Sequence, residues 1–254
     1  MTLLSIVTVN LDDAPGLRAT AESVAAQRFA DREWLVIDGG SSDGSLRVVE
    51  EFGASIDGWS SAPDRGTYDA MNQGLRRARG RYVIFMNAGD RFPGPDTLAR
   101  IAAALAPAPR VDLLLGGIVL ALPSGRRVYR PPRPAQRVRF GPPAYHQATV
   151  FRREAHLLAP YDLALRVSAD YGAIATLISR GARCRRLDHA LAIRRCGPDN
   201  LSERETRVRF ADFRRVQREI LARRGAAAAL AVGRLALAYL AYRCACAKIL
   251  GVSM

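Results

Sequence analysis

Acidic and amide side chains follow several apolar stretches of the chain, at the points where those stretches end. Three such positions are Asn10 after residues 4–9, Asp38 after residues 34–37, and Asn87 with Asp90 after residues 82–86. Their oxygen atoms could accept hydrogen bonds from a ligand or help to hold a cation. Asp and Asn are also common in turns, so folding alone would explain one such position better than it explains three in succession.

The apolar stretches alternate with helical patterns over the first hundred residues. The predicted strands are 4–9, 34–37, 58–60 and 82–86, and the predicted helices are 16–27, 45–52 and 69–79. Strands that alternate with helices of this length indicate βαβ units and a largely parallel sheet. Such sheets bind ligands at the carboxyl ends of their strands, which is where the polar side chains fall.

The pattern is less regular after residue 92. We predict helices over 93–106 and 169–180, the second ending at Gly181, and strands over 112–122 and 148–151. Residues 126–141 are rich in Arg and Pro and have no period, so we predict an exposed loop there.

Four segments carry most of these strand ends and polar loops: residues 4–10, 36–45, 62–74 and 80–90. In this order they resemble family 2 glycosyltransferases of the GT-A fold, in particular bacterial polysaccharide and glycolipid enzymes such as the colanic acid transferases. The resemblance covers residues 3–90, with a weaker match around 145–181. It implies an α/β nucleotide-diphospho-sugar transferase fold, with a mixed, mainly parallel central sheet flanked by helices and a C-terminal helical appendage.

The resemblance implies a nucleotide-sugar donor, UDP- or GDP-linked, at these strand ends. Asp38 would hold the uracil or ribose beside the backbone of Val9 and Asn10, and Asp64 and Arg65 would contact the donor sugar or phosphate. The other implied donor-binding residues are Gly39, Asp69, Asn72, Asn87, Ala88 and Gly89. For Asp69 and Asn72, helix capping is an equally good explanation.

Members of the family neutralise the departing diphosphate with a divalent cation held by a short acidic motif after a buried strand. In this chain the motif resembles Asn87 to Asp90 and keeps one carboxylate, since Asn87 or Gly89 replaces the first aspartate of the common pattern. The resemblance therefore implies Asp90 as the ligand of Mg²⁺ or Mn²⁺.

An inverting transfer needs a base for the proton of the acceptor hydroxyl, and a carboxylate can serve. In the family this base opens a helix in the second half of the chain, which corresponds to Asp170. The alternative for Asp170 is a helix cap without chemistry. His146 and Gln147 resemble the acceptor-side pair of the subgroup, although a lone histidine is often structural.

The 254 residues include 38 Lys and Arg against 24 Asp and Glu, a net charge of +14, and Lys248 is the single lysine. This surplus suits an anionic membrane, a phosphorylated lipid acceptor or a nucleotide sugar, and a GC-rich genome is a rival explanation. No nucleic-acid motif accompanies it, so we predict no nucleic-acid partner. The acceptor is predicted to be lipid-linked or a polysaccharide of the cell envelope.

Two regions are predicted: a catalytic domain over 1–202, with a nucleotide-sugar half to about residue 92 and an acceptor half over 93–202, and basic, amphipathic helices over 203–254. The apolar residues 225–242 contain Arg234. A helix in the membrane plane or a homo-oligomer contact therefore fits them better than a span. With no signal-peptide pattern at the start, we predict a cytoplasmic protein bound peripherally to the inner face of the membrane.

Other function classes lack their motifs. The first strand is not followed by the Gly-X-Gly-X-X-Gly turn of a dinucleotide oxidoreductase, and no phosphate loop is present. Cys184 and Cys196 lack partners at zinc spacing. A membrane scaffold on a decayed transferase fold is the non-enzymatic alternative. The sequence therefore predicts an inverting glycosyltransferase.

Overall fold

A computed structural model describes residues 2–106, 110–197 and 204–221 of the protein. Eight strands form one sheet, with the order β3-β2-β1-β4-β7-β5-β6 and β8 on the other side of β5. The strands are β1 Leu4–Asn10, β2 Arg32–Asp38, β3 Gly58–Ser61, β4 Tyr82–Phe85, β5 Leu113–Ala121, β6 Arg127–Arg130, β7 Thr149–Arg152 and β8 Cys184–Arg195.

The first four strands are parallel, as the sequence predicts. β1 lies between β2 and β4, and its register places Asn10 opposite Asp38. The carboxyl ends of β1, β2 and β4 therefore meet at one edge of the sheet, which brings the polar strand ends together.

Seven α-helices lie in the described part of the chain. They are α1 Ala14–Ala25, α2 Ser45–Glu51, α3 Thr67–Arg77, α4 Thr97–Leu105, α5 Arg153–Leu157, α6 Ala169–Ser179 and α7 Thr206–Val216, which continues as a π-helical turn over Gln217–Leu221. Gly181 has φ +87° directly after α6, which confirms the predicted helix end.

The helices cover both faces of the sheet, so its central strands β2, β1, β4 and β7 are buried on both sides. On β1, Leu4 and Ile6 pack with α1, α2 and α4, whereas Val7 and Val9 pack with α3 and α6. A strand covered on both faces needs a nearly continuous apolar run, which explains why β1 could be recognised from the sequence.

The second half differs from the predicted pattern in two places. Residues 126–141, predicted as a loop, contain β6, a 3-10 helix over Ala135–Phe140 and the buried Val138. The sequence did not predict β8, a strand of 12 residues that pairs in parallel with all nine residues of β5, with irregular register near Gly117. Five charged side chains interrupt β8, so no apolar run marks it.

Helix α7 packs on α6, where the rings of Tyr171 and Phe213 are 4.7 Å apart. The predicted boundary between residues 202 and 203 stays a prediction, and the apolar stretch 225–242 lies outside the described residues. Within the described ranges, no helix is both long and apolar enough to cross a membrane.

Candidate functional site

Asp38 ends β2 and is 1% exposed. Its carboxylate accepts hydrogen bonds from Asn10 Nδ2 (2.8 Å), the Oγ atoms of Ser41 and Ser61 (both 2.6 Å), and the backbone nitrogens of Gly40 (3.1 Å) and Ser41 (2.8 Å). Burial alone would raise the pKa of Asp38, but these hydrogen bonds hold it below its ordinary value. The group is therefore ionised at neutral pH and fixes the loop that follows β2.

Gly39 lies beside the predicted nucleotide residues and allows a close approach. Its backbone nitrogen donates to the Asn10 carbonyl oxygen (2.8 Å), and a Cβ atom on Gly39 would lie 2.9 Å from Asp64 Oδ2. Val9 accepts from the backbone nitrogen of Ala88 (3.0 Å). The predicted donor-binding residues at the ends of β1, β2 and β4 are thus brought together.

Two acidic side chains, one in the loop before α3 and one in the first turn of α3, form hydrogen bonds with residues of that loop. Asp64 accepts from the backbone nitrogen of Gly66 (2.7 Å), and Asp69 pairs with the exposed Arg65 through Nη2 (3.1 Å) and the backbone nitrogen (3.2 Å). Asp69, in the first turn of α3, thus bonds to a residue that lies two positions before the helix begins. Arg65 keeps 77% of its side chain exposed, which leaves it accessible to a ligand.

Asn72 has a well-defined structural role. Its amide nitrogen donates to the Tyr161 carbonyl oxygen (2.9 Å), and its amide oxygen accepts from the Tyr161 backbone nitrogen (3.0 Å). Both ends of the buried amide therefore tie α3 to the segment before α6. Contact between Asn72 and a donor stays a prediction.

Thr20 of α1 braces the turn that carries Asp90. Its hydroxyl lies 2.7 Å from the Asp90 carbonyl oxygen and 3.2 Å from that of Asn87, and it accepts from the backbone nitrogen of Gly89 (3.0 Å). Gly89 has φ +89°, a conformation that side chains other than glycine's rarely adopt. Sequence reasoning missed Thr20, because nothing in its position within α1 marks a contact 70 residues away.

Asp90 is 5% exposed, and its environment differs from that of Asp38. Burial raises the pKa of the Asp90 carboxyl to about 6, although the charges of His146 and Arg194 and a hydrogen bond from Gln147 partly offset it. Two buried amide oxygens, Asn87 Oδ1 and Gln147 Oε1, have no hydrogen-bond partner among the described residues.

Asp170 and His146 form a pair near this turn. His146 Nδ1 lies 3.2 Å from Asp170 Oδ2, and His146 Nε2 lies 3.5 Å from Asn87 Nδ2. Burial would raise the pKa of the Asp170 carboxyl, but His146, Tyr171 and Tyr68 lower it below its ordinary value. Asp170 is thus held ionised, with 21% of its side chain exposed.

Tyr68 is a site residue that sequence reasoning left without a role. Its hydroxyl lies 2.8 Å from the Val167 carbonyl oxygen and 3.2 Å from Asp170 Oδ1. Burial, and then the charge of Asp170, raise the pKa of Tyr68 well above its ordinary value, so it remains a donor. Its position inside the segment 62–74 was the available signal.

Asp212 of α7 supports the start of α6 from outside that helix. Its buried carboxylate accepts from the backbone nitrogens of Val167 (2.8 Å) and Ser168 (3.1 Å), just before Asp170. Asp170 Oδ1 accepts from the backbone nitrogen of Tyr171 (2.7 Å) in the first turn of α6, so the capping alternative for Asp170 stays open beside its predicted role as a base. No sequence signal connects Asp212 to Asp170.

The described residues contain no group of three or more His, Cys, Asp and Glu side chains placed to hold a metal. The candidate cation donors are instead the Asp90 carboxylate and the two amide oxygens beside it. This all-oxygen set matches the ligand preference of Mg²⁺ and Mn²⁺.

Comparisons with known proteins agree with this geometry. The model of Glycosyl transferase family 2 matches residues 5–169. An uncharacterised glycosyltransferase of Mycobacterium tuberculosis is 43% identical over 103 residues, 40% of this chain and 39% of that protein. A PGL/p-HBAD biosynthesis glycosyltransferase of Mycobacterium bovis is 32% identical over 173 residues, 66% of this chain and 67% of that protein. The chain thus matches about two fifths of the first relative's length and two thirds of the second's.

Solved structures share the fold at low sequence identity. Staphylococcus aureus TarS 1-349 in complex with UDP-GlcNAc has a TM-score of 0.71 and 20% identity, over 86% of this chain and 65% of that chain. The mannosyltransferase PcManGT from Pyrobaculum calidifontis, in complex with GDP-Man and Mn²⁺, has a TM-score of 0.66 and 17% identity, over 95% and 75%. With the family model matching more than half of its length, the chain belongs to glycosyltransferase family 2 and has the GT-A fold.

Proposed function

We propose that the chain is an inverting glycosyltransferase that moves a sugar from a nucleoside diphosphate to an acceptor hydroxyl. One observation carries this proposal. Asp90, His146 and Asp170, from distant parts of the chain, lie together beyond the carboxyl end of β4, beside the strand ends that hold Asn10 and Asp38. Membership of the family supports it.

The donor is proposed to lie across the ends of β1, β2 and β4. Asp38, with Val9, Asn10 and Gly39, would contact the nucleoside, and the exposed Arg65 would pair with phosphate, for which its guanidinium is suited. The neighbours bind UDP-GlcNAc and GDP-Man, so UDP and GDP sugars are the donor candidates. Asp64, Asp69, Asn72, Asn87, Ala88 and Gly89 complete the proposed donor site.

A divalent cation fits the oxygen atoms near Asp90. Asp90 would supply the charged ligand, and Asn87 and Gln147 offer the unpartnered amide oxygens described above. When bound, such a cation would neutralise the charge that develops on the departing diphosphate. The presence of Mn²⁺ with GDP-Man in PcManGT supports this assignment.

Asp170 is the proposed base. Its ionised carboxylate would take the proton of the acceptor hydroxyl while that oxygen forms the new bond to the anomeric carbon. The bond from that carbon to the diphosphate would break at the same time, and its electron pair would leave with the nucleoside diphosphate. Attack opposite the leaving group inverts the anomeric configuration, and His146 would hold the carboxylate in place.

The acceptor is proposed to be a lipid-linked sugar or polysaccharide that reaches His146 and Gln147. The relative named for PGL/p-HBAD biosynthesis supports a role in envelope glycans. We also propose that residues 203–254 bring the protein to the inner membrane face or join two copies. Truncation after Arg224 should then weaken sedimentation with anionic liposomes, and undiminished sedimentation would contradict a membrane role for the tail.

The transfer proposal is tested with a panel of UDP and GDP sugars in Mn²⁺ or in EDTA. A donor at about 100 times its Kd should stabilise the protein by about 2.7 kcal/mol, visible as a higher melting temperature in Mn²⁺. NMR of the transferred sugar should show the inverted anomer. Absence of any shift and of any product across the panel would instead favour the non-catalytic scaffold.

A further inference from the structure

A cavity of about 470 Å³ lies at the edge of the sheet opposite to the catalytic cluster. Arg79 and Arg81 precede β4, Arg152 pairs with the first residue of β4, and Arg110 precedes β5. These positions are the amino ends of β4 and β5. The lining side chains include Arg79, Arg81, Arg110, Arg152, Arg153 and Glu154, which we call the arginine cleft.

Positive charge exceeds negative charge in the arginine cleft. Its five guanidinium groups face three carboxylates, with Arg79 at 3.0 Å from Glu33, Arg152 at 2.6 Å from Asp112 and 2.8 Å from Glu154, and Arg110 at 3.9 Å from Asp112. Glu33 also accepts from Ser5 and from the backbone nitrogens of Arg79 and Gly80. Five arginines thus line the cleft against three carboxylates, and two of these carboxylates, Glu33 and Asp112, are shared with other donors.

Part of the cleft is fixed and part is accessible. Arg152 exposes 15% of its side chain and is held by two carboxylates, one of which, Asp112, also accepts from the Arg183 backbone nitrogen (2.9 Å). Arg79 and Arg110 expose 73% and 58% of their side chains. A largely buried, fixed guanidinium beside two exposed ones is suited to an anion that arrives from solvent.

Two exposed leucines follow the cleft residue Arg153 by four and five positions along the chain. Arg153 begins α5, and Leu157 and Leu158 at its end expose 37% and 76% of their surface. At 1.5 Å rise per residue, Leu158 lies about 7 Å along the helix from Arg153. Cationic and apolar side chains at this spacing match the boundary between the headgroups and acyl chains of a bilayer.

We propose that the arginine cleft binds the headgroup phosphate of anionic phospholipids, with Leu157 and Leu158 entering the bilayer surface. Guanidinium groups pair with phosphate through two parallel hydrogen bonds, and the volume suits a small anionic group. None of the residues that line the cleft belongs to the two arginine-rich segments of the sequence, 126–139 and 204–224. Binding here does not depend on the proposed transferase chemistry.

The test compares two double variants of the full chain with the same net charge. Arg110→Gln/Arg153→Gln alters the cleft, and Arg47→Gln/Arg100→Gln alters exposed arginines of α2 and α4 outside it. Arg152 is kept in both, so the fixed guanidinium remains, and equal melting temperatures establish that both fold. Partition is measured on vesicles of phosphatidylglycerol and phosphatidylcholine by flotation.

The cleft variant should partition about 30-fold less onto phosphatidylglycerol-rich vesicles, which corresponds to about 1 kcal/mol per arginine, whereas the control should bind like the wild type. Leu158→Ser should also weaken binding, without changing its dependence on salt. Equal partition of the two double variants would overturn the proposal. A thermal shift with inorganic phosphate that the cleft variant loses, without any loss of vesicle binding, would make the cleft a site for soluble phosphate and equally overturn it.

Discussion

Asp38 ends β2 and Asp90 follows β4, the two strands that flank β1. Both are buried, with 1% and 5% of their surface exposed, yet their surroundings differ. Around Asp38, side chains and amides of the protein supply five hydrogen bonds and keep its pKa low. Around Asp90, burial outweighs the compensation, and its pKa rises to about 6. Groups of the folded protein stabilise the ionised Asp38 carboxylate, whereas the ionised Asp90 carboxylate is left to be stabilised by what binds there.

Asp170→Asn should have the largest effect, because the region around Asp90 holds the proposed base. The amide keeps the shape of the side chain but cannot take the acceptor's proton, so kcat should fall by about 10²–10⁴-fold in a variant that is still folded at the assay temperature. Asp96→Asn, at an exposed pair with Arg28, is the matched control and should retain activity. A loss of less than tenfold in Asp170→Asn would remove this carboxylate from the chemical step.

Asp90→Asn should raise stability while it lowers Mn²⁺-dependent donor binding. The folded pKa of about 6 exceeds the ordinary 3.8, so the folded protein binds more protons between these pH values and loses stability as pH rises. At pH 7.5 in EDTA the variant should therefore be more stable by up to about 3 kcal/mol, from about two pH units at 1.36 kcal/mol each. Urea unfolding at pH 7.5 and pH 4 measures this, and the gain should vanish at pH 4. A less stable variant at pH 7.5 would mean that the protein stabilises the ionised form of Asp90 as it does that of Asp38.

Asp38→Asn should change the stability of the protein in the opposite direction. An amide nitrogen would replace one acceptor oxygen and face donors, which should destabilise the fold by about 1–3 kcal/mol at pH 7.5. The pKa of Asp38 is lowered in the folded state, so its contribution is present above its ordinary pKa and is lost as pH falls through the folded pKa. A urea series extended below pH 3.8 should show the difference from wild type shrinking. A neutral or stabilising effect at pH 7.5 would mean that the hydrogen bonds around Asp38 do not favour its ionised form.

Asp212→Ala should have the smallest effect on transfer. It removes the acceptor of two buried amides before α6, so Asp170 should lose its fixed position without leaving the site. We expect kcat to fall about tenfold, less than the roughly 10²-fold that a 1 Å displacement can cost, with the donor KM and the pH profile unchanged. Asp212→Asn, which retains an acceptor oxygen, should recover most of the rate. An equal fall in both variants would point to a general loss of packing.

The first half of the fold could be predicted because its signals are local. β1 and β2 are apolar runs buried on both faces, and their polar ends fall where the parallel register places them. β8 could not be predicted, because its charged residues hide the strand and its partner β5 lies about 70 residues earlier. β6 is concealed in the same way by the Arg and Pro residues around it.

The residues of the candidate site also differ in whether a signal in the sequence marks them. Asp38 and Asp90 could be identified from their strands, and Asp170 and His146 from the family resemblance. That His146 would lie 3.2 Å from Asp170, or that Thr20 would brace the turn of Asp90, depends on tertiary packing that no spacing in the chain encodes. Asp212 is the extreme case, since it acts through amides more than 40 residues away.

The strand order also determines which strands can pair while the ribosome is still synthesising the chain. β1 to β4 emerge first and can pair in their final register, but β7 covers the free edge of β4 and is made about 65 residues later. At 5–20 residues per second, that apolar edge stays open for about 3–13 s. An open strand edge is a template for pairing with another chain, so nascent copies on one polysome are most prone to aggregate during this interval.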